Sequence, residues 1–86
     1  MDFTKFKALL DDQMSWPDYY SFKFVVKTLN KSGLLDILTD SDHKLSERAS
    51  KNGNYTSITC KKLVKSSDDV VAVYQKVSKI EGIISL

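Results

Sequence analysis

YYSFKFVVK, residues 19–27, is the stretch that decides the fold. Large apolar side chains alternate along it with more polar ones, which is the period of two that a β-strand shows when one face is buried. The pattern therefore predicts a strand with its even-numbered residues against a core: Tyr20, Phe22, Phe24 and Val26. The other face of this strand meets solvent or a partner.

A β-hairpin is predicted around Asn52-Gly53, the dipeptide preferred in two-residue type I′ turns because both central residues need positive φ. With Lys51 opposite Asn54, the core face pairs Ala49 with Thr56, Glu47 with Ile58, and Leu45 with Cys60. The opposite face pairs Ser50 with Tyr55, Arg48 with Ser57, Ser46 with Thr59, and Lys44 with Lys61. An inward charge at Glu47 discourages pairing with other molecules, so residues 44–51 are predicted at a sheet edge.

Three segments have the apolar spacing of helices. Residues 3–14 form a short amphipathic helix that ends at Trp16-Pro17. A second helix runs from about Lys31 to Thr39, after N-cap candidates in residues 28–32. The third opens at residues 66–69, where hydroxyl caps and carboxylates suit the positive end of the helix dipole, and exits at Gly82. Its buried stripe is Val70, Val73, Tyr74, Val77 and Ile80, and residues 83–86 form a terminal strand.

This order predicts an α+β fold of the ferredoxin-like, split βαβ class (βαββαβ) preceded by a short N-terminal helix. Right-handed crossovers place the first and third strands of the antiparallel sheet in the centre, the second and fourth at the edges, and both core helices on one face. The 86 residues suffice for a single domain. Within it, residues 1–15 are an N-terminal extension and residues 16–86 are the core.

Three stretches also carry a family resemblance: WPDYYSFKF at 16–24, SKNGNYTS at 50–57 and VYQKVSKI at 73–80. Together they resemble the YbeD-like family, small bacterial proteins of unknown function, over about residues 14–86. The Lys-x-Gly-Asn-Tyr hairpin is the most distinctive piece. The resemblance implies a ferredoxin-like, ACT-like fold. It also implies a regulatory or interaction module, since ACT-like domains commonly sense small metabolites or assemble through their sheets.

The composition argues against a nucleic-acid binder, a disulfide-bonded protein and a membrane protein. Thirteen basic and eleven acidic residues give a net charge of +2, too small an excess for a dedicated nucleic-acid binder. One cysteine, Cys60, cannot form an internal disulfide, which predicts a reducing compartment and a cytoplasmic location. No stretch approaches the roughly 18 apolar residues of a membrane span, and the first residues lack an apolar signal core.

Catalytic chemistry finds little support in the sequence, so an enzyme is not predicted, and no cofactor or metal site is assigned. The loop after the first strand has no arginine for a phosphate and no cysteine pair for a soft metal. His43 is interpreted as an exposed loop histidine without a second ligand nearby, and Cys60 as a buried structural thiol.

Two sets of residues remain as binding candidates. Unpaired N–H groups at the start of the first core helix attract anions, which makes Asn30, Ser32 and Gly33 ligand candidates, with ordinary helix capping as the alternative. The uncovered sheet face supplies the interface candidates Tyr19, Lys23, Val25, Arg48, Tyr55, Ser57, Thr59 and Lys61.

The sequence therefore predicts a non-enzymatic regulatory or interaction module that binds a protein partner or a small ligand. A homodimer through the open sheet face and a plain solvated face are both compatible with the pattern. The alternative is an RNA-binding module that uses this face. Hydroxyls at its centre, at Ser21, Ser57 and Thr59, argue against that alternative because RNA-binding sheets place stacking rings there.

Overall fold

The computed structural model describes residues 3–86 and has the predicted order of elements. Its helices are α1 (Thr4–Gln13), α2 (Lys31–Leu38) and α3 (Ser67–Val77), and a 3₁₀ turn (Thr28–Asn30) leads into α2. Its strands are β1 (Asp18–Lys27), β2 (His43–Ala49), β3 (Tyr55–Val64) and β4 (Ile84–Ser85). No helix in the described range is long and apolar enough to cross a membrane.

The four strands form one antiparallel sheet in the order β2-β3-β1-β4. The long strands β1 and β3 are central, and β2 lies at an edge, as predicted. Every hairpin pair of the predicted core face is observed: Leu45 with Cys60, Glu47 with Ile58, and Ala49 with Thr56. The register holds because a slip by one residue would turn the buried side chains of β3 toward solvent.

The core lies between the sheet and the helices. Phe22, Phe24 and Val26 of β1 are at most 1% exposed, as the alternation predicts, and Tyr20 is half-buried at the end of the same row. Each buried phenylalanine stabilises the fold by about 1.5–3 kcal/mol relative to an exposed one. The helices contribute the other side of the core: Leu10, Leu34, Leu38, Val70, Val73 and Val77.

Tyr74 of α3 holds the N-terminal helix in place. Its ring centroid lies 5.4 Å from that of Phe22 and 5.8 Å from those of Phe24 and Phe6, with edge-to-face geometry in each case. Such aromatic pairs contribute beyond the area they bury. A helix of ten residues is marginal alone, so this contact through Phe6 stabilises α1 on the core.

The turn of the hairpin differs from the prediction. Gly53 has φ of +77°, but Asn52 does not have positive φ, so the prediction of a type I′ turn is wrong. The Gly53 N–H donates to the Ser50 carbonyl at 2.9 Å, and residues 51–54 form a four-residue loop. The loop is closed by Tyr55, whose N–H donates to the Ser50 hydroxyl at 3.0 Å. The register survives because Ser50 and Tyr55 remain opposite each other.

Element ends also differ from the predictions. No side chain caps α2, because the 3₁₀ turn precedes it and supplies the helical entry. α3 ends at Val77 instead of continuing past Ile80, because the Ile80 N–H bonds the Val77 carbonyl and tightens the last turn. β4 has two residues, not four. His43, predicted in a loop, is the first residue of β2.

Candidate functional site

The face of the sheet opposite the helices, here called the open face, carries all eight predicted interface residues. Alternation and register place there Tyr19, Lys23 and Val25 of β1, Arg48 of β2, and Tyr55, Ser57, Thr59 and Lys61 of β3. Val25, Ser57 and Thr59 are half-buried by their neighbours, and the other five side chains are exposed. Ile84 of β4, which the prediction did not include, extends the face beside Val25 and is 52% exposed.

The charged side chains that the described strands place on the open face are all basic. Five cationic side chains from three strands lie on it, and no Asp or Glu occupies a position on this side of the described strands: Lys23, Lys27, Lys44, Arg48 and Lys61. None of the five forms an ion pair within residues 3–86. The rest of the chain then holds eight basic and eleven acidic residues, a net charge of −3. The net charge of +2 therefore conceals a set of strand positions whose charged side chains are all basic.

Lys44 and Lys61 lie directly opposite each other on β2 and β3. Two like charges in that position destabilise a sheet slightly, since their side chains are only about 5 Å apart at Cβ. The arrangement thus costs stability and concentrates positive potential, which raises the local concentration of anionic groups. Ser57 and Thr59 add hydroxyl donors between the basic side chains.

The two tyrosines lie at opposite ends of the open face. Tyr19 is opposite Leu63 and Tyr55 is opposite Lys27, which separates them by eight positions along β1, roughly 26 Å at 3.3 Å per residue. The Tyr19 hydroxyl donates to the Asp42 carboxylate at the edge of this face, and that hydrogen bond raises the pKa of Tyr19. Rings this far apart cannot stack on neighbouring bases.

The three predicted ligand residues do not form a site together. The Asn30 side chain donates to the Glu81 carbonyl at 3.2 Å and thereby ties the start of α2 to the C-terminal segment. Ser32 and Gly33 are exposed in the first turn of α2. The Asn30 amide therefore has a structural role.

One lysine of β3, Lys62, is buried, which was not predicted from the sequence. Lys62 of β3 faces the helices, and its side chain is 7% exposed. Its ammonium group pairs with the Asp40 carboxylate and donates to the Ser41 hydroxyl at 2.8 Å. The hydrogen bond from Lys62 lowers the pKa of Asp40. The signal was present in the alternation of β3, where Lys62 follows the inward-facing Ile58 and Cys60.

The single histidine and the single cysteine are both engaged within the fold. The His43 Nδ1 atom lies 2.7 Å from the Ser41 carbonyl oxygen. Cys60 is fully buried, as predicted, with its Sγ 3.8 Å from the Leu38 carbonyl oxygen, and burial raises the pKa of its thiol. A high thiol pKa keeps the group protonated and poorly reactive.

The order of the elements, the four antiparallel strands and the helices on one face of the sheet define a small α+β protein of the ferredoxin-like class. The chain belongs to a family described as a protein of unknown function (DUF493), whose model matches residues 11–86, in agreement with the resemblance to the YbeD-like family. It is similar to the solution structure of protein HP0495 from H. pylori, with a TM-score of 0.71 and 20% identity over 86% of each chain. At that identity the likeness concerns the fold. No curated protein matches the chain.

Proposed function

We propose that this protein is a non-enzymatic, cytoplasmic interaction module that binds an acidic surface of a partner protein through its open face. One observation carries the proposal: five basic side chains from three strands share this face, with no acidic side chain among the strand positions. A one-signed surface favours a partner of opposite charge and speeds its association. The buried free thiol of Cys60 is compatible with a reducing compartment.

The charges and the tyrosines also bear on the other candidate occupants of the open face. A homodimer that stacks two open faces would bring the same five cations against each other, which disfavours it. RNA remains the second candidate, since its phosphates suit lysine and arginine. The wide separation of Tyr19 and Tyr55 favours a protein, because single-strand readers use closely spaced rings.

A defined acidic probe tests the proposal. We would titrate the protein into a fluorescent, glutamate-rich peptide at low salt and follow anisotropy. The triple variant K23Q/R48Q/K61Q should bind about tenfold more weakly, since each exposed ion pair contributes about 0.5 kcal/mol. The matched control K5Q/K65Q/K79Q removes three exposed charges outside the open face and changes the net charge equally. Equal losses in both variants would overturn the proposal.

The same assay with mixed single-stranded RNA separates the two candidates. Tighter binding to RNA than to the peptide, lost in Y19A/Y55A, would establish the RNA alternative and displace the protein partner. Both probes release bound counterions, so each titration is repeated at several salt concentrations before the affinities are compared.

A further inference from the structure

The open face also holds a small group of apolar side chains, Val25, Tyr55 and Ile84, here called the apolar patch. Ile84 of β4 lies directly opposite Val25 of β1, so their side chains are neighbours on this face. Tyr55 of β3 lies opposite Lys27, which makes it a diagonal neighbour of Val25, within reach of an aromatic ring. Ile84 is 52% exposed and Tyr55 is 41% exposed, whereas Val25 is half-buried.

Cationic side chains lie on three sides of the apolar patch. Lys23 and Lys27 lie two positions before and after Val25 on β1, each about 6.6 Å away at 3.3 Å per residue. Arg48 of β2 lies opposite Ser57, which itself pairs with Val25, so Arg48 is two strands away, roughly 10 Å. This part of the open face therefore has an apolar centre and a cationic border.

The side chain of Lys27 is partly ordered before any partner binds. Its aliphatic carbons lie 3.3 to 3.5 Å from the position that a Cβ at Gly82 would take, so the stem packs along the glycine. Lysine stems commonly cover other residues in this way while the ammonium group stays in water. Because the stem is already held, Lys27 loses less rotamer freedom when it meets an anionic group.

We propose that the open face binds an extended acidic segment of a partner protein, in which one apolar side chain lies midway between two carboxylates. This inference rests on the proposed function and specifies the partner of the same face. In an extended segment, residues two positions apart point the same way and lie about 6.6 Å apart, which matches the spacing of Lys23, Val25 and Lys27. The apolar residue then covers Val25 and Ile84, and the carboxylates meet the two lysines.

The apolar patch contributes what the exposed charges do not. Exposed ion pairs contribute little each and are weakened by salt. Burial of apolar area is favourable without depending on charge. An apolar centre within a polar rim is the usual anatomy of a protein interface, and tyrosine and arginine dominate the binding energy of many of them. Tyr55 and Arg48 supply one of each beside the centre.

Peptides that differ at one position test the apolar residue. Two fluorescent peptides carry glutamates two positions before and after a central residue, which is leucine in one and serine in the other. At low salt the leucine peptide should bind about fivefold more tightly, because its side chain is partly buried in the complex. Added salt should weaken both peptides and preserve this ratio. A third peptide, with leucine one position along, points it away from the face and should lose the gain.

Matched variants of the protein locate the effect. In Ile84→Thr and Val25→Thr the ratio of the two affinities should fall toward one, because each change removes apolar area and keeps the β-branched shape that suits a strand. Leu9→Gln is the control, since Leu9 is 51% exposed on α1, outside the open face, and glutamine suits a helix. The ratio should not change in this variant. If Val25→Thr fails to fold, the exposed position of Ile84 decides.

The outcomes separate this inference from the proposed function. Equal binding of the leucine and serine peptides, or an equal gain with the moved leucine, would overturn the inference alone. A gain that Ile84→Thr retains would also overturn it, because the leucine would then bind outside the apolar patch. If none of the peptides binds at low salt, the proposed function fails and the inference fails with it.

Discussion

At the scale of single residues, the pair of Lys62 and Asp40 is the one ion pair of the described residues that has a buried partner. The ammonium of Lys62 is nearly buried, whereas the Asp40 side chain is 54% exposed. Removing one partner of such a pair costs more than the pair contributes, because the other charge stays buried without compensation. The inward position of Lys62 could be predicted from the alternation of β3. Asp40 could not be predicted as its partner, because it lies 22 positions earlier, in a loop.

Asp40→Asn should therefore lower the free energy of unfolding by about 1–2 kcal/mol at neutral pH, with the exposure of Asp40 keeping the loss modest. Urea unfolding followed by circular dichroism measures it. Asp36→Asn is the matched control, an exposed carboxylate of α2. A loss of equal size in the control would contradict the assignment.

Because of the Lys62–Asp40 pair, we expect the stability of the protein to depend on pH. Lys62 lowers the pKa of folded Asp40 below its ordinary value of 3.8, so the stabilisation is complete above that value. It is lost as the pH falls through the lowered pKa, because Asp40 then takes up a proton. The difference in stability between the natural chain and Asp40→Asn should thus be constant from pH 5 to 7 and shrink below about pH 4. A difference that grows toward low pH would refute this sign.

At the scale of elements, alternation specifies register better than turn type. The hairpin pairs follow from which residues of β3 must be buried, and that pattern repeats over many positions. The turn depends on a few backbone dihedrals, and the Ser50 hydroxyl stabilises a four-residue loop in place of the expected two-residue turn. Helix ends are hard to predict for the same reason, as a single hydrogen bond decides them.

The hairpin loop depends on the positive φ of Gly53. Gly53→Ala should destabilise the protein by about 1 kcal/mol, because Gly53 alone in this loop has positive φ. No atom lies within 4 Å of the added Cβ, so backbone strain is the cause. Asn52→Ala should change stability by less than about 0.5 kcal/mol. Equal losses in the two variants, measured by urea unfolding, would indicate the type I′ turn instead.

The start of α3 is stabilised by side-chain caps at Ser66 and Asp69. The Ser66 hydroxyl accepts from the Asp69 N–H at 3.3 Å, and the Asp69 carboxylate accepts from the Lys65 N–H at 2.9 Å. Ser66→Ala should cost about 1 kcal/mol, and Ser66→Asp should retain most of the stability, because a carboxylate also caps. Thermal unfolding of both variants checks this. An unchanged midpoint in Ser66→Ala would show that the cap contributes nothing.

At the scale of the whole molecule, the proposed function rests on the open face, where the charged side chains of the described strands are all basic. The register alone places Lys44 and Arg48 on the same face as Lys61, so this part of the surface follows from sequence. The alternation of residues 19–27 places Lys27 on that face too, whereas the closeness of all five basic side chains becomes visible only when the strands are assembled. The fold class and strand order follow from local patterns, whereas the basic surface depends on how three strands are combined.

Amide NMR of the labelled protein, titrated with the glutamate-rich peptide at low salt, shows directly whether an acidic partner binds the open face. We expect chemical-shift changes clustered on this face, near Lys23, Arg48, Ser57, Thr59 and Lys61, that decline as salt is added. Amides of α2 and α3 should change little. Changes centred on exposed lysines outside the open face, Lys5, Lys65, Lys76 and Lys79, would contradict binding through the open face.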